Sequence, residues 1–341
     1  MPEELKEAMF YKKSKDKTVK CFLCHRDCVI SEGKKGFCRA RKNVNGKLYS
    51  LVYGRAVSME IDPVEKKPLY HFMPGSSCYS ISTLGCNFAC LHCQNYSISQ
   101  ADPEKIKVPF TSPGEIVDAA VSSGCEGIAF TYTEPTIFFE YAFDIMKLAK
   151  KAGLYNAWVT NGYMSKPVVE ELKGLCNASN IDLKGDKAFY EKVVGKVKVE
   201  FVKENIALHH KLGIHVEVTN LVIPGWNDSE AQLKEVIDFI ASVDNEMPLH
   251  FTRFFPVYKM QDVPPTELAI LNKAFEMAKK AGLKYVYVGN TGNSFNDTYC
   301  PKCNNKLIER VFYSTHLIGL KQDSTCNKCG FKTNIILRKL A

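Results

Sequence analysis

Between residues 77 and 288, short apolar runs alternate with longer stretches in which apolar residues recur every three or four positions. Buried parallel strands read as continuous apolar runs, whereas helices repeat every 3.6 residues. The short runs predict strands at 78–84, 127–132, 155–160, 179–184, 214–223, 249–255 and 284–288. The longer stretches predict helices over Gly114–Ser123, Thr136–Ala152, Pro167–Leu175, Asp186–Leu212, Ser229–Val243 and Thr266–Ala281. Gly153, Gly213 and Gly282 follow the last periodic residue of three of these, where a left-handed cap is wanted. Such alternation predicts an α/β fold, with a parallel sheet and crossover helices. Six βα units point to an open or partial barrel, the 284–288 strand being extra; pattern alone leaves a doubly wound sheet open.

In either architecture ligands bind at the C-terminal ends of the parallel strands. Polar residues collect there. The second strand ends in Thr131-Tyr132-Thr133-Glu134-Pro135, the third in Thr160-Asn161-Gly162, the fourth in Asp182-Leu183-Lys184. The fifth leads to Thr219-Asn220 and Pro224-Gly225-Trp226-Asn227-Asp228, and the sixth supplies Arg253 and Tyr258 as substrate candidates. One such residue is commonly only a helix cap. Five successive strand ends with polar residues make a pocket.

The flanks lack this alternation and carry cysteines instead. The expected organisation is a four-cysteine metal module over 1–44, a linking segment over 45–76, the barrel over 77–296 and a ribbon-like module over 297–341. In the first, Cys21, Cys24, Cys28 and Cys38 fall within 18 residues, close enough in sequence to ligate one metal centre. Zinc and an auxiliary iron–sulfur cluster both accept such a set. In the last, Cys300-x2-Cys303 and Cys326-x2-Cys329 are two knuckles of a zinc ribbon, with strands expected at Leu307–Tyr313 and Thr333–Leu337. All-cysteine ligation there points to a closed, structural site, as zinc or a rubredoxin-like iron. In the linking segment Lys47–Tyr53 alternates as a strand, and His71, inside an aromatic cluster, reads as structural.

Three further cysteines, Cys86, Cys90 and Cys93, lie at spacing C-x3-C-x2-C directly after the first strand. Three thiolates would leave one iron of a cubane cluster open to a substrate or small-molecule cofactor. Zinc is the rival, since His92 lies in the same loop. The remaining cysteines, Cys78, Cys125 and Cys176, stand alone and read as small buried hydrophobes.

This motif after a first strand resembles the radical S-adenosylmethionine (SAM) superfamily. The similarity is closest to relatives of the pyruvate formate-lyase activating enzyme, and among those to the radical SAM member of the AmmeMemoRadiSam system. It runs from about Ala8 to the C-terminus. The resemblance implies a partial (β/α)6 barrel. It also implies a [4Fe–4S] cluster on Cys86, Cys90 and Cys93 that reductively cleaves SAM to methionine and a 5′-deoxyadenosyl radical, which abstracts hydrogen from a substrate. His92 then lies near the adenine, where an aromatic residue is usual. Thr133-Glu134-Pro135 takes the place of the family's glycine–glycine–glutamate motif, with Tyr132-Thr133 replacing the two glycines and Glu134 accepting from the SAM amine. Thr160 and Asn161 match the segment touching ribose or carboxylate, and Asp182 and Lys184 match an aspartate–leucine–lysine segment that contacts SAM. A one-electron donor of the flavodoxin or ferredoxin type is implied as a partner. The substrate is either a small molecule, modified by carbon–carbon bond formation or alkylation alongside partner proteins of that system, or a protein activated through a glycyl radical.

Composition is that of an ordinary soluble globular protein: 341 residues, 45% hydrophobic and 24% charged. No apolar run approaches the roughly 18 residues of a membrane span, and the start lacks a signal-peptide pattern, so a cytoplasmic location is expected. Fourteen cysteines suit a reducing compartment only if most hold metal. The net charge of +8 divides into +6 over 1–44, +5 over 297–341 and −3 between them. Basic flanks raise the alternative of a non-catalytic zinc protein that binds nucleic acid. Against it, no basic patch is interleaved with aromatics, and the three-cysteine loop and Glu134 would have no purpose.

Overall fold

The computed structural model describes residues 5–292 and 296–337. The chain divides into two compact units. The first comprises 1–62, 77–179 and 200–214, and the second 63–76, 180–199 and 215–341.

In the first unit three parallel strands lie side by side, β1 (Ser77–Ser82), β2 (Gly127–Phe130) and β3 (Tyr155–Thr160). β2 is central, with Gly127 opposite both Cys78 and Tyr155. A Cβ at Gly127 would collide with the Tyr155 ring, so glycine is required for this pairing. Helix α1 (Pro113–Ser122) begins at a capping box, in which the Ser112 hydroxyl accepts from the Glu115 amide and the Glu115 carboxylate from the Ser112 amide. Helix α2 (Phe139–Lys151) buries Phe139, Ala142, Ile145, Met146 and Ala149, the spacing of one helical face. Those residues pack with Ile81, Phe130 and Trp158 of the strands in one core. Gly153 ends the segment with φ +77°, as the cap reading required. A short helix α3 (Lys166–Glu171) and helix α4 (Val199–Lys211) follow β3 in this unit's sequence.

The N-terminal cysteines sit on small antiparallel sheets. Tyr11–Lys13, Val19–Cys21 and Val29–Ile30 form one, and Lys6–Glu7, Lys47–Ser50 and Arg41–Val44 the other. Lys47–Ser50 therefore pairs on both edges, with strands of the preceding segment, instead of linking outward. An ion pair between fully buried Arg41 and Glu140 of α2 joins this module to the helix, with contacts of 2.5 and 2.6 Å.

β4 (Ala178–Asp182) spans the boundary between the units. The second unit holds the parallel strands β5 (His215–Val222), β6 (Leu249–Arg253) and β7 (Val286–Gly289), with β6 central. Helices α5 (Glu230–Val243) and α6 (Leu268–Lys280) alternate with them. The α/β alternation is as expected. The long helix expected over Asp186–Leu212 is instead broken: Lys187–Phe189 passes into a wider turn over Tyr190–Gly195, and α4 starts only at Val199. Gly195 at φ +108° and Lys196 at φ +55° cannot continue a right-handed helix. His71 is buried, its ring nitrogens 2.6 Å from Asn334 Oδ1 and from the Tyr287 hydroxyl, a structural role as expected.

In the ribbon module Lys306–Val311 pairs with Ser314–Leu317 and with Thr298–Tyr299. Thr333–Leu337, expected as a strand, makes among the described residues only an isolated bridge, from Ile336 to Phe72. The hairpin turn at Phe312, with φ +54°, supplies Lys306–Val311 with a nearer partner. Among the described residues no helix is long and apolar enough to cross a membrane.

Candidate active site and metal centres

β1 delivers the chain through Thr83 and Leu84 into the cysteine loop. Gly85 has φ +97°, and a Cβ there would stand 2.5 Å from the Cys38 carbonyl oxygen, so only glycine permits the approach. Cys90 is buried and Cys86 and Cys93 are half-buried, all three as free thiols. The Phe88 amide donates to Cys86 Sγ at 3.4 Å, and Cys93 Sγ lies 3.2 Å from the Ser99 hydroxyl. Burial, and after it the charge of Glu134, push the Cys86 thiol well above its usual range, with the Phe88 amide opposing. A thiolate here needs a cation beside it.

Glu134 is buried and joins two strand ends. Its Oε1 accepts from the Thr136 amide at 3.1 Å, the Thr136 hydroxyl at 2.5 Å and the Thr160 hydroxyl at 2.7 Å. Its Oε2 accepts from the Asn161 amide at 2.8 Å, leaving that oxygen room for one more donor. Burial raises its pKa, and the Asn161 amide and the Thr136 and Thr160 hydroxyls pull it back. Tyr132 adopts φ +62°, a left-handed backbone that is uncommon for a bulky residue. Its hydroxyl donates to Asp62, and its carbonyl accepts from Asn95 Nδ2 at 2.7 Å.

Two residues at this site were not singled out from the sequence. Asn87, fully buried between Cys86 and Phe88, accepts from Asn161 Nδ2 at 2.7 Å and, through its carbonyl, from Arg26 Nε at 2.9 Å. Thr136 caps Glu134. Position next to the first cysteine was the available signal for Asn87; nothing local marks Arg26. The structure thus brings Glu134, Thr160 and Asn161 into one bonded network that reaches the cysteine loop through Asn87. His92 is buried within that loop. Asp182, Lys184, Arg253 and Tyr258 belong to the other unit. There Lys184 Nζ lies 2.7 Å from Asp182, the two being paired with each other. Arg253 Nε donates to the Thr266 carbonyl at 2.8 Å, and Tyr258 takes φ +53°.

The C-terminal quartet is drawn tight. Sγ atoms of Cys300 and Cys329 are 3.6 Å apart and those of Cys303 and Cys326 are 3.7 Å apart, all four within 4.8 Å of one another. Tetrahedral zinc–thiolate bonds require about 3.8 Å between sulfurs. Amides of Cys329 and Lys328 point at Cys326, lowering its thiol to about 6 against the opposing effect of burial. Cys78, Cys125 and Cys176 are buried free thiols, as expected.

A sequence model of the radical SAM superfamily matches residues 80–240. An uncharacterised protein of Methanocaldococcus jannaschii is 47% identical over 337 residues, covering 98% of this chain and 100% of its own. The chain belongs to the radical SAM superfamily. A GTP 3′,8-cyclase of Limosilactobacillus fermentum is 23% identical over 223 residues, covering 63% of this radical SAM chain and 64% of its own. Among solved structures, a domain of a pyruvate-formate lyase-activating enzyme from Bacteroides vulgatus overlays 48% of the chain and 99% of its own with a TM-score of 0.43 and 20% identity. Membership of the superfamily implies an enzyme with a [4Fe–4S] cluster and SAM. The residues present fit both groups: the loop offers three thiols, and Ser82 Oγ, Thr83 Oγ1 and Asn87 Nδ2 around it are buried without a hydrogen-bond partner.

Proposed function

We propose that Cys86, Cys90 and Cys93 hold the catalytic cluster in a partial (β/α)6 barrel, and that the enzyme abstracts hydrogen from a small organic substrate. The observation that carries this reading is the bonded path from the three-thiol loop through Asn87 and Asn161 to Glu134. When bound, the cluster and SAM supply a one-electron cleavage that yields methionine and a 5′-deoxyadenosyl radical. The protein's own part is positioning. Glu134 offers Oε2 to the SAM ammonium while four donors fix its orientation. Thr160 and Asn161 frame the ribose or carboxylate, and His92 lies by the adenine. Arg253 and Tyr258 are assigned to the substrate. The relative named GTP 3′,8-cyclase supports a small-molecule substrate. A flavodoxin- or ferredoxin-type donor supplies the electron, and structural zinc occupies the C-terminal quartet.

The test is anaerobic incubation with dithionite and SAM, with 5′-deoxyadenosine measured by chromatography. Wild-type protein releases it, and Cys90→Ala abolishes release. Absence of 5′-deoxyadenosine from iron-loaded wild type overturns the reading.

A further inference from the structure

The two four-cysteine sets of this chain differ in geometry. A single zinc ion draws four sulfurs to about 3.8 Å from each other. The C-terminal quartet meets that condition within 4.8 Å; among the described residues the N-terminal quartet does not gather to that limit. Instead Cys21, Cys24, Cys28 and Cys38 all line one cavity of about 340 Å³, part of it open to solvent. In a cubane each thiolate binds a different iron, so the four sulfurs stand apart across the body of the cluster. Spread sulfurs around a shared cavity match that requirement and not the requirement of one ion.

The lining points the same way. Amides of Arg26, Phe37 and Ala40 are directed at Cys24, Cys28 and Cys38, as thiolate ligands need. Arg41 and Arg26 also line the cavity. Arg41 is 1% exposed and its Nε has no partner, and Arg26 Nη2 is buried without one. Buried guanidinium donors call for acceptors, and four thiolates with four bridging sulfides supply them together with net negative charge. Leu23, Ile30, Phe37 and Ile137 make up the apolar wall. The cavity's wall also includes Asn87, which lies within the catalytic cysteine loop and is tied to Arg26 through its carbonyl.

We propose that Cys21, Cys24, Cys28 and Cys38 hold a second [4Fe–4S] cluster, closed by four protein thiolates, with Asn87 of the catalytic loop in the wall of its cavity. This assignment does not depend on the SAM chemistry, because none of its ligands belongs to that loop. Zinc, also acceptable to the sequence, would require these four sulfurs to draw together within the 4.8 Å that, among the described residues, the C-terminal quartet meets and this one does not.

The test is metal and sulfide analysis of full-length protein purified anaerobically with iron and sulfide supplied. Wild type should hold about eight iron and one zinc per chain. The triple variant Cys86→Ala, Cys90→Ala, Cys93→Ala should keep about four iron, with a reduced-cluster electron paramagnetic resonance signal that SAM leaves unchanged. About four iron and two zinc in wild type, or a triple variant free of iron, overturns the proposal. A triple-variant signal that shifts on adding SAM overturns the closed coordination. If the triple variant does not fold, the wild-type iron-to-zinc ratio decides. Full iron loading without 5′-deoxyadenosine would sink the proposed function and leave the second cluster standing.

Discussion

Glu134 is held by more donors than a carboxylate at a ligand site needs for stability alone. Four protein groups converge on it, three on one oxygen, so that its free lone pair has a fixed direction before any ligand arrives. Glu134→Gln would turn an amide N–H₂ toward a donor at one of these oxygens, trading an attraction for a repulsion. Each charge-assisted hydrogen bond is worth about 1.5–3 kcal/mol. We expect stability to fall by about 2 kcal/mol and SAM affinity by at least roughly tenfold, read by urea titration and by equilibrium binding to the iron-loaded protein. Unchanged SAM affinity would show that Glu134 only ties β2 to β3. Beside Glu134, Tyr132 takes φ +62° with its hydroxyl anchored on Asp62, a backbone that few bulky residues adopt.

At the scale of elements, most strands were legible because buried parallel strands are short apolar runs, and β3 falls on the expected residues, 155–160. The three glycine caps were legible for the same kind of reason: a positive φ selects the residue. What escaped the sequence was long-range. Periodicity carries through Gly195-Lys196 on side-chain pattern, while their backbone angles break the helix. Thr333–Leu337 has strand composition, but the hairpin at Phe312 takes the pairing. The buried Arg41–Glu140 pair could not be read either, because its members are 99 positions apart. That pair also receives the Met9 amide, at 2.6 Å to Glu140, and Arg41 donates to the Met9 carbonyl at 2.8 Å. Glu140→Ala would remove the carboxylate that pairs with a fully buried guanidinium, which costs about 3–5 kcal/mol. The expected outcome is a matching drop in unfolding free energy, with hydrogen-exchange protection lost first in Arg41–Val44 and Lys47–Ser50. Acid should act on another element. Burial lowers His71 to about 3, from an ordinary value near 6.5. Between those values the unfolded chain binds the proton that the folded chain refuses, so stability is full above pH 6.5 and declines as pH falls toward 3. From pH 7 to pH 5 this one residue accounts for a loss of about 2 kcal/mol. In a His71→Phe variant the denaturation midpoint should therefore depend less on pH across that window, even though the variant is less stable throughout.

Over the whole molecule, the proposed function assigns one cysteine set a metal that makes structure and another a metal that makes chemistry. The ribbon module buries little apolar surface of its own, its core consisting of Leu307, Ile308 and Ile335 with Cys300 and Cys326. A core that small does not hold a hairpin and two knuckles in place without a staple. Structural zinc supplies on the order of 10–16 kcal/mol of binding free energy at neutral pH, nearly all of it available to folding because the site does not exist in the unfolded chain. Cys326→Ser removes one of four ligands from the quartet whose sulfurs now stand 3.6 and 3.7 Å apart in pairs. The expected result is a loss of about one zinc per chain, with hydrogen-exchange protection disappearing from Lys306–Val311 and Ser314–Leu317. Cys90→Ala should do the converse: iron falls, the zinc stays, and protection of that hairpin is unaltered. The two variants are informative together because each serves as the folding control for the other. If Cys326→Ser kept its zinc, or if Cys90→Ala released it, the separation of metal roles along this chain would fail at that point, since the tight quartet would no longer be where the zinc resides.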